Sequence, residues 1–251
     1  MLSKNQIKFI NSLKQKKSRI ANKLFVVEGK KMIDELLKSD YTIHSIYSTF
    51  QPKEVLFDSS TVPYVNITEN ELKKISQLTT PNEILALVYF KKPEIKNINF
   101  ENELIIALDN IRDPGNLGTI VRVADWFGIK TIICSENSVD VYNSKTVQAS
   151  MGSVFRVDVF YSDLKSQIEF GLRNKIPVYA AVLDGDSVYN FKKTKNGFIV
   201  FGSESHGISE QLLSIKGVQK ITIPSVGEAE SLNVAVATAI VCSEFKRTTF
   251  G

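Results

Sequence analysis

The stretch Ile221-Thr-Ile-Pro-Ser-Val-Gly-Glu-Ala-Glu-Ser-Leu-Asn-Val-Ala-Val-Ala-Thr-Ala-Ile240 decides how the chain folds. It begins as a short apolar strand, Ile221 to Ile223. Pro224 stops that strand, because proline has no N–H to give a sheet ladder. A loop of small residues around Gly227 follows, then Ser231-Leu-Asn233, then a run made almost wholly of Val and Ala. Such a run reads as a buried helix that another backbone can approach closely. Ser231 and Asn233 sit where this helix would start, and a helix start leaves backbone N–H groups free for a ligand. Taken singly, either residue need do no more than cap the helix.

Upstream, apolar strands alternate with helices. Leu104 to Leu108 is a strand, and a turn-rich loop, Asp109 to Gly118, leads into a helix from Thr119 to Phe127 that Gly128 ends. Lys130 to Cys134 and Val157 to Tyr161 are strands, with a helical segment between Ser144 and Val154. Ser162 is expected to cap a helix from Asp163 to Lys175. Pro177 to Leu183 and Gly197 to Phe201 are strands, and Ser209 is expected to cap a short helix reaching Lys216. This order implies a mostly parallel sheet covered on both faces. In such sheets ligands gather at the carboxyl ends of strands. Three strand ends carry glycines with polar residues: Asp109 to Arg122, Gly202 to Gly207, and Ile223 to Asn233.

The first part of the chain is a second, smaller α/β unit. Ser3 with Gln6 and Thr68 with Glu71 read as capping boxes. Ile7, Ile10 and Leu13 form one helical stripe, and Met32, Ile33, Leu36 and Leu37 mark another helix. Strands are expected at Leu24 to Val27, Ile43 to Tyr47, Val62 to Ile67 and Ile84 to Phe90. The polar, unpatterned segment from Lys91 to Asn102 reads as a linker. The expected domains are therefore residues 1–96 and 97–251.

Composition is that of a soluble globular protein, 43% hydrophobic and 23% charged. Two distant cysteines, Cys134 and Cys242, argue against a disulfide framework and for a reducing compartment. Two distant histidines, His44 and His206, do not make a zinc cluster. No signal-peptide pattern opens the chain, and no apolar run reaches membrane-spanning length. The expectation is a cytoplasmic protein with no membrane partner. Net charge is +4, but nine cations and one acid before residue 32 give that end a net charge of +8, leaving about −4 elsewhere. Positive charge gathered at one end suggests a nucleic-acid partner; a solvated helix face is the plainer alternative.

The strand-end segments exclude several familiar chemistries. Gly115-Asn-Leu-Gly118 lacks the leading G-x-G of a dinucleotide fingerprint, and no Gly-Lys-Ser/Thr follows it, so it is no Walker loop. That removes a nucleotide-dependent oxidoreductase. Phe201-Gly-Ser-Glu-Ser-His-Gly207 does not match the G-x-S-x-G nucleophile elbow. His206 reads as a loop residue. Glu204 is a carboxylate placed to accept hydrogen bonds.

Taken together, the three segments are specific. Asn116-Leu-Gly118 with Arg122, then Gly202-Ser-Glu204, then Ile223-Pro224 followed by Ser231-Leu-Asn-Val234, resemble the motif triplet of the SpoU (TrmH-type) RNA 2′-O-ribose methyltransferases of the SPOUT superfamily. Val141-Tyr-Asn-Ser-Lys145 and Ala149-Ser-Met-Gly152 also resemble that family, so the likeness covers residues 103–247. A looser likeness, Arg19 with Phe25-Val-Val-Glu-Gly29, links the first part to the family's substrate-binding domain. Three positions depart from the common pattern: Ser225, where many members have Met; Ala235, where Ser is common; and Gly115, at a variable position.

The resemblance implies an α/β fold: a C-terminal SPOUT parallel-sheet domain with a deep trefoil knot, preceded by a small α/β RNA-binding domain. It implies S-adenosylmethionine as cofactor, framed by Gly202, Ile223, Pro224 and Leu232. It places Asn116, Arg122, Glu204, Ser231 and Asn233 around the reacting ribose. Within that set Glu204 is expected to orient Arg122, and the two asparagines to bond the ribose or the loop. Arg122 is the family's principal catalytic residue. Because a guanidinium stays protonated above about pH 12, its expected role is to grip the target phosphate and polarise the hydroxyl. The implied partners are an RNA substrate, ribosomal in preference to transfer RNA, and a second copy of the chain. A non-catalytic RNA-binding protein of the same fold is the alternative. Retention of Asn116, Arg122, Glu204 and Asn233 argues against it.

Overall fold

A computed structural model describes residues 1–50, 62–91, 98, 100, 102–190 and 194–247. It divides into two compact units, Met1–Lys92 with Asp140–Phe155, and Pro93–Val139 with Arg156–Gly251. The expected boundary between residues 96 and 97, and most of the expected linker, lie outside the described residues. The units are also not consecutive in the chain, because residues 140–155 join the first.

The first unit is a four-stranded sheet in the order β1-β4-β2-β3, formed by β1 (Leu24–Glu28), β2 (Ile43–Ser48), β3 (Tyr64–Asn66) and β4 (Ile84–Tyr89). β4 runs antiparallel to both β1 and β2, and β3 runs parallel to β2. Helices α1 (Lys4–Ser12) and α4 (Glu69–Ile75) open on the two expected capping boxes, Ser3 with Gln6 and Thr68 with Glu71. Ile10, Leu13, Leu72 and Ile75 share a core with Leu24, Val26, Leu85 and Leu87. Side chains alternate across a strand, so Phe25 faces the other way. There its ring lies 4.4 Å from that of Tyr142, which stacks on Phe90 at 4.4 Å. This aromatic contact binds residues 140–155 to the unit. The segment itself comprises α6 (Ser144–Ser150) and a 3-10 turn, Ser153–Phe155, not one continuous helix.

The apolar stripe at the N-terminus ends at Leu13, as expected. The chain turns after Leu13, and a separate helix α2 (Lys16–Asn22) follows before β1; α3 (Lys30–Leu37) comes after it. Arg19 of α2 is buried and donates through Nη1 to the carbonyls of Leu13 and Lys14, at 3.0 and 2.9 Å. That fixes the turn. One of the nine N-terminal cations is therefore internal, while Lys4, Lys8, Lys14, Lys16, Lys17, Lys23, Lys30 and Lys31 are exposed.

Glu28, at the end of β1, is also buried. It accepts from Ser76 Oγ at 2.5 Å and from the Gln77 N–H at 2.7 Å. Loss of water raises its pKa, and the two hydrogen bonds and Lys14 offset this only in part. A carboxyl whose folded-state pKa lies above its unfolded value favours the fold at low pH, and that contribution is lost as pH rises through the folded pKa. Glu28→Gln should therefore melt higher than the unsubstituted chain at pH 8. The difference should close as pH falls into the carboxylate range, as thermal melts across pH will show.

The second unit is a six-stranded, wholly parallel sheet in the order β10-β8-β9-β5-β6-β7. Its strands are β5 (Leu104–Asp109), β6 (Thr131–Cys134), β7 (Asp158–Tyr161), β8 (Val178–Ser187), β9 (Gly197–Gly202) and β10 (Gln219–Thr222). One face packs through Ile105, Ala107, Val178 and Val200 on Leu164 and Ile168 of α7 (Leu164–Arg173) and Leu212 of α8 (Glu210–Leu213). The other holds α5 (Pro114–Trp126) and α9 (Val234–Lys246), which pack on each other. The apolar, small-residue run of the C-terminal stretch is indeed a helix, and Val234, Ala235, Thr238, Val241, Cys242 and Phe245 are its buried residues. Burial pushes the thiols of Cys134 and Cys242 up, the latter to about 12. Among the described residues no helix is long and apolar enough to cross a membrane.

The starts or caps of two helices differ from expectation, and a third helix starts as expected but without its side-chain cap. α5 begins at Pro114, not Thr119, so both glycines of the supposed loop lie inside the helix. Asp113 caps it by accepting from the Asn116 N–H at 2.8 Å, and Pro114 sits in the first turn, where a missing N–H costs nothing. α7 is capped by Asp163, not Ser162; the carboxylate accepts from the Ser166 N–H at 3.2 Å. Ser209 precedes α8 but makes no side-chain cap, and its own N–H goes to Asp109 Oδ2 at 2.8 Å. α8 also stops at Leu213, short of Lys216.

Candidate active site

Because every strand of the second sheet is parallel, the carboxyl ends of β5, β9 and β10 share one edge. Each sends its following segment into the same region. From β5 come Asn110 to Asp113 and the first turns of α5. From β9 comes a tight turn closed by a two-way backbone pairing of Ser203 with Gly207, at 3.1 and 2.9 Å. From β10 come residues 223–233, which have no regular structure and lead to the cap of α9.

Three of the expected ribose-facing residues meet there. The Asn116 Nδ2 donates to Glu204 Oε1. Asn116 Oδ1 accepts from Asn233 Nδ2 at 3.0 Å. Asn233 Oδ1 in turn accepts from the N–H groups of Ala235 and Val236, at 2.9 and 3.3 Å, and so caps α9. A single line of amides thus runs from the α9 cap through α5 to the carboxylate after β9. It occupies both heteroatoms of each asparagine side chain. Glu204 is exposed at the end of the line, and among the described residues its Oε2 makes no hydrogen bond.

Arg122 is not part of that line. Glu204 bonds Asn116 and not Arg122, which corrects the expected pairing. Among the described residues Arg122 makes no hydrogen bond or ion pair, and its side chain is exposed. Seven residues separate it from Gly115, close to two helical turns, so the two share a face with Thr119 between them. Helical side chains tilt toward the N-terminus. Thr119 turns its hydroxyl inward to the Gly115 carbonyl at 2.8 Å, leaving this face low and open.

Ser231 is exposed and lies two residues before the α9 cap, so it does not cap the helix. Of the expected cofactor-framing positions, Gly202 ends β9. A Cβ there would fall 2.0 Å from the Gly207 carbonyl carbon, so only glycine allows the turn to close. Ile223 is half-buried and Pro224 exposed, both at the end of β10; Leu232 is 48% exposed. From residue 225 to residue 232, among the described residues, no backbone N–H donates to another backbone group. A nucleoside held by main-chain groups requires such free donors beside apolar side chains, and this segment offers both. The residues present therefore fit S-adenosylmethionine.

Two supporting residues were not singled out from the sequence. Asp113 fixes the start of α5 and hence Asn116. Asp109 fixes the segment after Gly207 through Ser209. The pair Asp113-Pro114 was a legible helix-start signal.

A family model described as the SpoU rRNA Methylase family matches residues 103–243, and one described as the MRM3-like substrate binding domain matches residues 4–86. The 23S rRNA (guanosine(2553)-2'-O)-methyltransferase RlmP of Bacillus subtilis (strain 168) is 30% identical over 241 residues, covering 95% of each chain. The AdoMet-bound rRNA methyltransferase from Sinorhizobium meliloti superposes with a TM-score of 0.86 at 28% identity, covering 99% of this chain and 96% of that one. The SpoU methyltransferase AviRb from Streptomyces viridochromogenes, in complex with AdoMet, shares the fold, with a TM-score of 0.88 at 21% identity over 99% of both chains.

Proposed function

This chain belongs to the SpoU rRNA methylase family, and on that premise we propose that it methylates a ribose 2′-hydroxyl of ribosomal RNA, using S-adenosylmethionine. The observation that carries the reading is the line Asn233–Asn116–Glu204 across three strand ends, with Arg122, on the same helix as Asn116, bonding nothing among the described residues.

When bound, S-adenosylmethionine supplies a methyl carbon already activated by the positive sulfonium. That carbon would be transferred to the hydroxyl oxygen, whose proton would have to leave. The chain's own work is to hold the hydroxyl in line and direct that proton. Arg122 grips the phosphate of the target nucleotide and polarises the hydroxyl; the proton passes to that phosphate or to solvent. Asn116 and Asn233 have both side-chain heteroatoms engaged, so they act as positioning residues that aim Glu204. The free oxygen of Glu204 accepts from a ribose hydroxyl, and Ser231 faces the ribose from the loop before α9. Gly202, Ile223, Pro224 and Leu232 frame the cofactor.

The remaining parts of the reading have their own support. The deep knot is supported by the path of the C-terminus: β10 pairs at the sheet edge with β8, yet α9 returns to pack on α5 and β9. A homodimer through the second unit is supported by the exposed apolar side chains Val226, Leu232 and Val236 around the start of α9. An RNA-holding role for the first unit is supported by its eight exposed lysines before residue 32. Ribosomal RNA is favoured over transfer RNA because relatives of nearly full coverage are named for it. The enzyme then acts in the cytoplasm, where its ribosomal RNA substrate is met.

Mass-spectrometric mapping of 2′-O-methyl nucleotides in RNA from cells with and without the gene tests this. One large-subunit ribosomal nucleotide should lose its methyl when the gene is absent. Loss at a transfer RNA position alone would replace the ribosomal reading.

A further inference from the structure

We infer that Arg112 is a second phosphate-gripping residue, held ready before RNA arrives, and that Asn110 is the positioning residue that aims it. The inference rests on the methyltransferase reading for the identity of the polyanion. Its geometry does not.

Arg112 lies between β5 and α5, at the strand edge that carries the site. Its backbone is held on both sides. Asn110 gives its N–H to Ser135 Oγ at 2.8 Å. Ile111 is fully buried, gives its N–H to Ser138 Oγ at 3.2 Å, and accepts at its carbonyl from the Val139 N–H at 2.8 Å. Asp113 is locked as the α5 cap. The Arg112 side chain is nonetheless exposed.

Three acids lie nearby in sequence or on the same edge, and Arg112 pairs with none of them. Asp109 is engaged with the Ser209 N–H, Asp113 with the Asn116 N–H, and Glu204 with Asn116. Arg112 instead donates through Nε to a neutral atom, Asn110 Oδ1, at 3.2 Å. Asn110 adopts φ +59, the left-handed region that asparagine tolerates better than most residues. The bond fixes the plane of the guanidinium. Among the described residues its two terminal nitrogens bond nothing, and that pair forms a fork matched to two phosphate oxygens. A solvated surface cation needs neither a clamped backbone nor an aimed side chain. An arginine serving a phosphate gains from both, since less freedom is lost on binding.

The test uses the full chain with in-vitro-transcribed large-subunit ribosomal RNA. RNA affinity is read by fluorescence anisotropy over a salt series, cofactor affinity by calorimetry, and transfer by single turnover. Arg112→Ala should weaken RNA binding roughly tenfold at low salt and lower the slope of log affinity against log salt by about 0.7, one phosphate of a single strand. Cofactor affinity should be unchanged. Asn110→Gly keeps the backbone free to hold positive φ but removes Oδ1; it should weaken binding by a smaller factor and leave the salt slope intact. Arg112→Lys should restore the slope but not the full affinity.

An unaltered slope and affinity in Arg112→Ala would overturn the inference. So would a loss confined to the single-turnover rate or to cofactor binding. If the unsubstituted chain binds RNA with the expected Arg112 dependence but transfers no methyl, the inference stands and the methyltransferase reading fails. If it binds no RNA, both fail.

Discussion

Replacing Arg122 by alanine is expected to lower the single-turnover rate of methyl transfer by roughly 10²–10⁴-fold, the range for losing a positioned group that manages a proton. S-adenosylmethionine affinity should be largely untouched. The side chain is exposed and bonds nothing among the described residues, so its removal leaves no buried partner behind and costs little stability. A catalytic loss from such a position cannot be blamed on unfolding. Arg122→Lys keeps the charge but not the planar fork, and should recover only a small part of the rate. Rapid-quench transfer at saturating cofactor and RNA measures this. Full rates in both variants would remove Arg122 from the reaction.

The largest expected effect on stability lies far along the chain from that chemistry. Arg19 and Asp140 form an ion pair, Nη2 to Oδ2 at 2.6 Å and Nε to the same oxygen at 2.9 Å, with side chains only 3% and 11% exposed. Arg19→Ala leaves a carboxylate largely buried without its cation and frees the carbonyls of Leu13 and Lys14. Breaking one side of such a pair costs about 3–5 kcal/mol. In a chain of this size each kcal/mol lowers the melting temperature by about 2–4 °C, so the first unit should melt on the order of 10 °C lower. Asp140→Ala should be comparably damaging. The double variant should be much less damaged than the sum of the two, because neither charge is then stranded. Additive losses, read by calorimetric melts of the four proteins, would show that the pair is not the link holding residues 140–155 to the unit.

Local signals were legible in the sequence wherever neighbours in the chain do the work. The capping boxes at Ser3 and Thr68, the apolar strands of the parallel sheet, the glycine turn after α5 and the buried helix after Asn233 all follow from spacing. Two misreadings were also local. Gly115 and Gly118 suggested a turn, whereas Asp113-Pro114 is the stronger signal and starts the helix five residues earlier. Ser162 suggested a cap, but the carboxylate one residue later is in place to accept the free N–H. What could not be read is long-range. Residues 140–155 look like part of the second unit by position; long-range contacts such as those of Tyr142 with Phe25 and Phe90, of Phe155 with Tyr41 and of Asp140 with Arg19 assign them to the first. Arg19 was one cation in a basic run, and its burial depends on a carboxylate 121 residues away. The line from Asn233 through Asn116 to Glu204 spans 117 and 88 residues in its two links. Motif resemblance gathered those residues into one set, but it gave Glu204 the wrong partner. Among the described residues Arg122 bonds nothing where a paired side chain was expected, and that suits it to a phosphate.

Methyl transfer to a ribose hydroxyl can be read from the modified nucleoside itself. The purified chain is incubated with unmodified large-subunit ribosomal RNA and S-adenosylmethionine carrying a deuterated methyl, and the RNA is digested to nucleosides for mass spectrometry. The account predicts the heavy methyl in a single 2′-O-methylnucleoside, lost when Arg122 is replaced by alanine. Heavy methyl on a base, or none in any nucleoside while the cofactor binds, would contradict it.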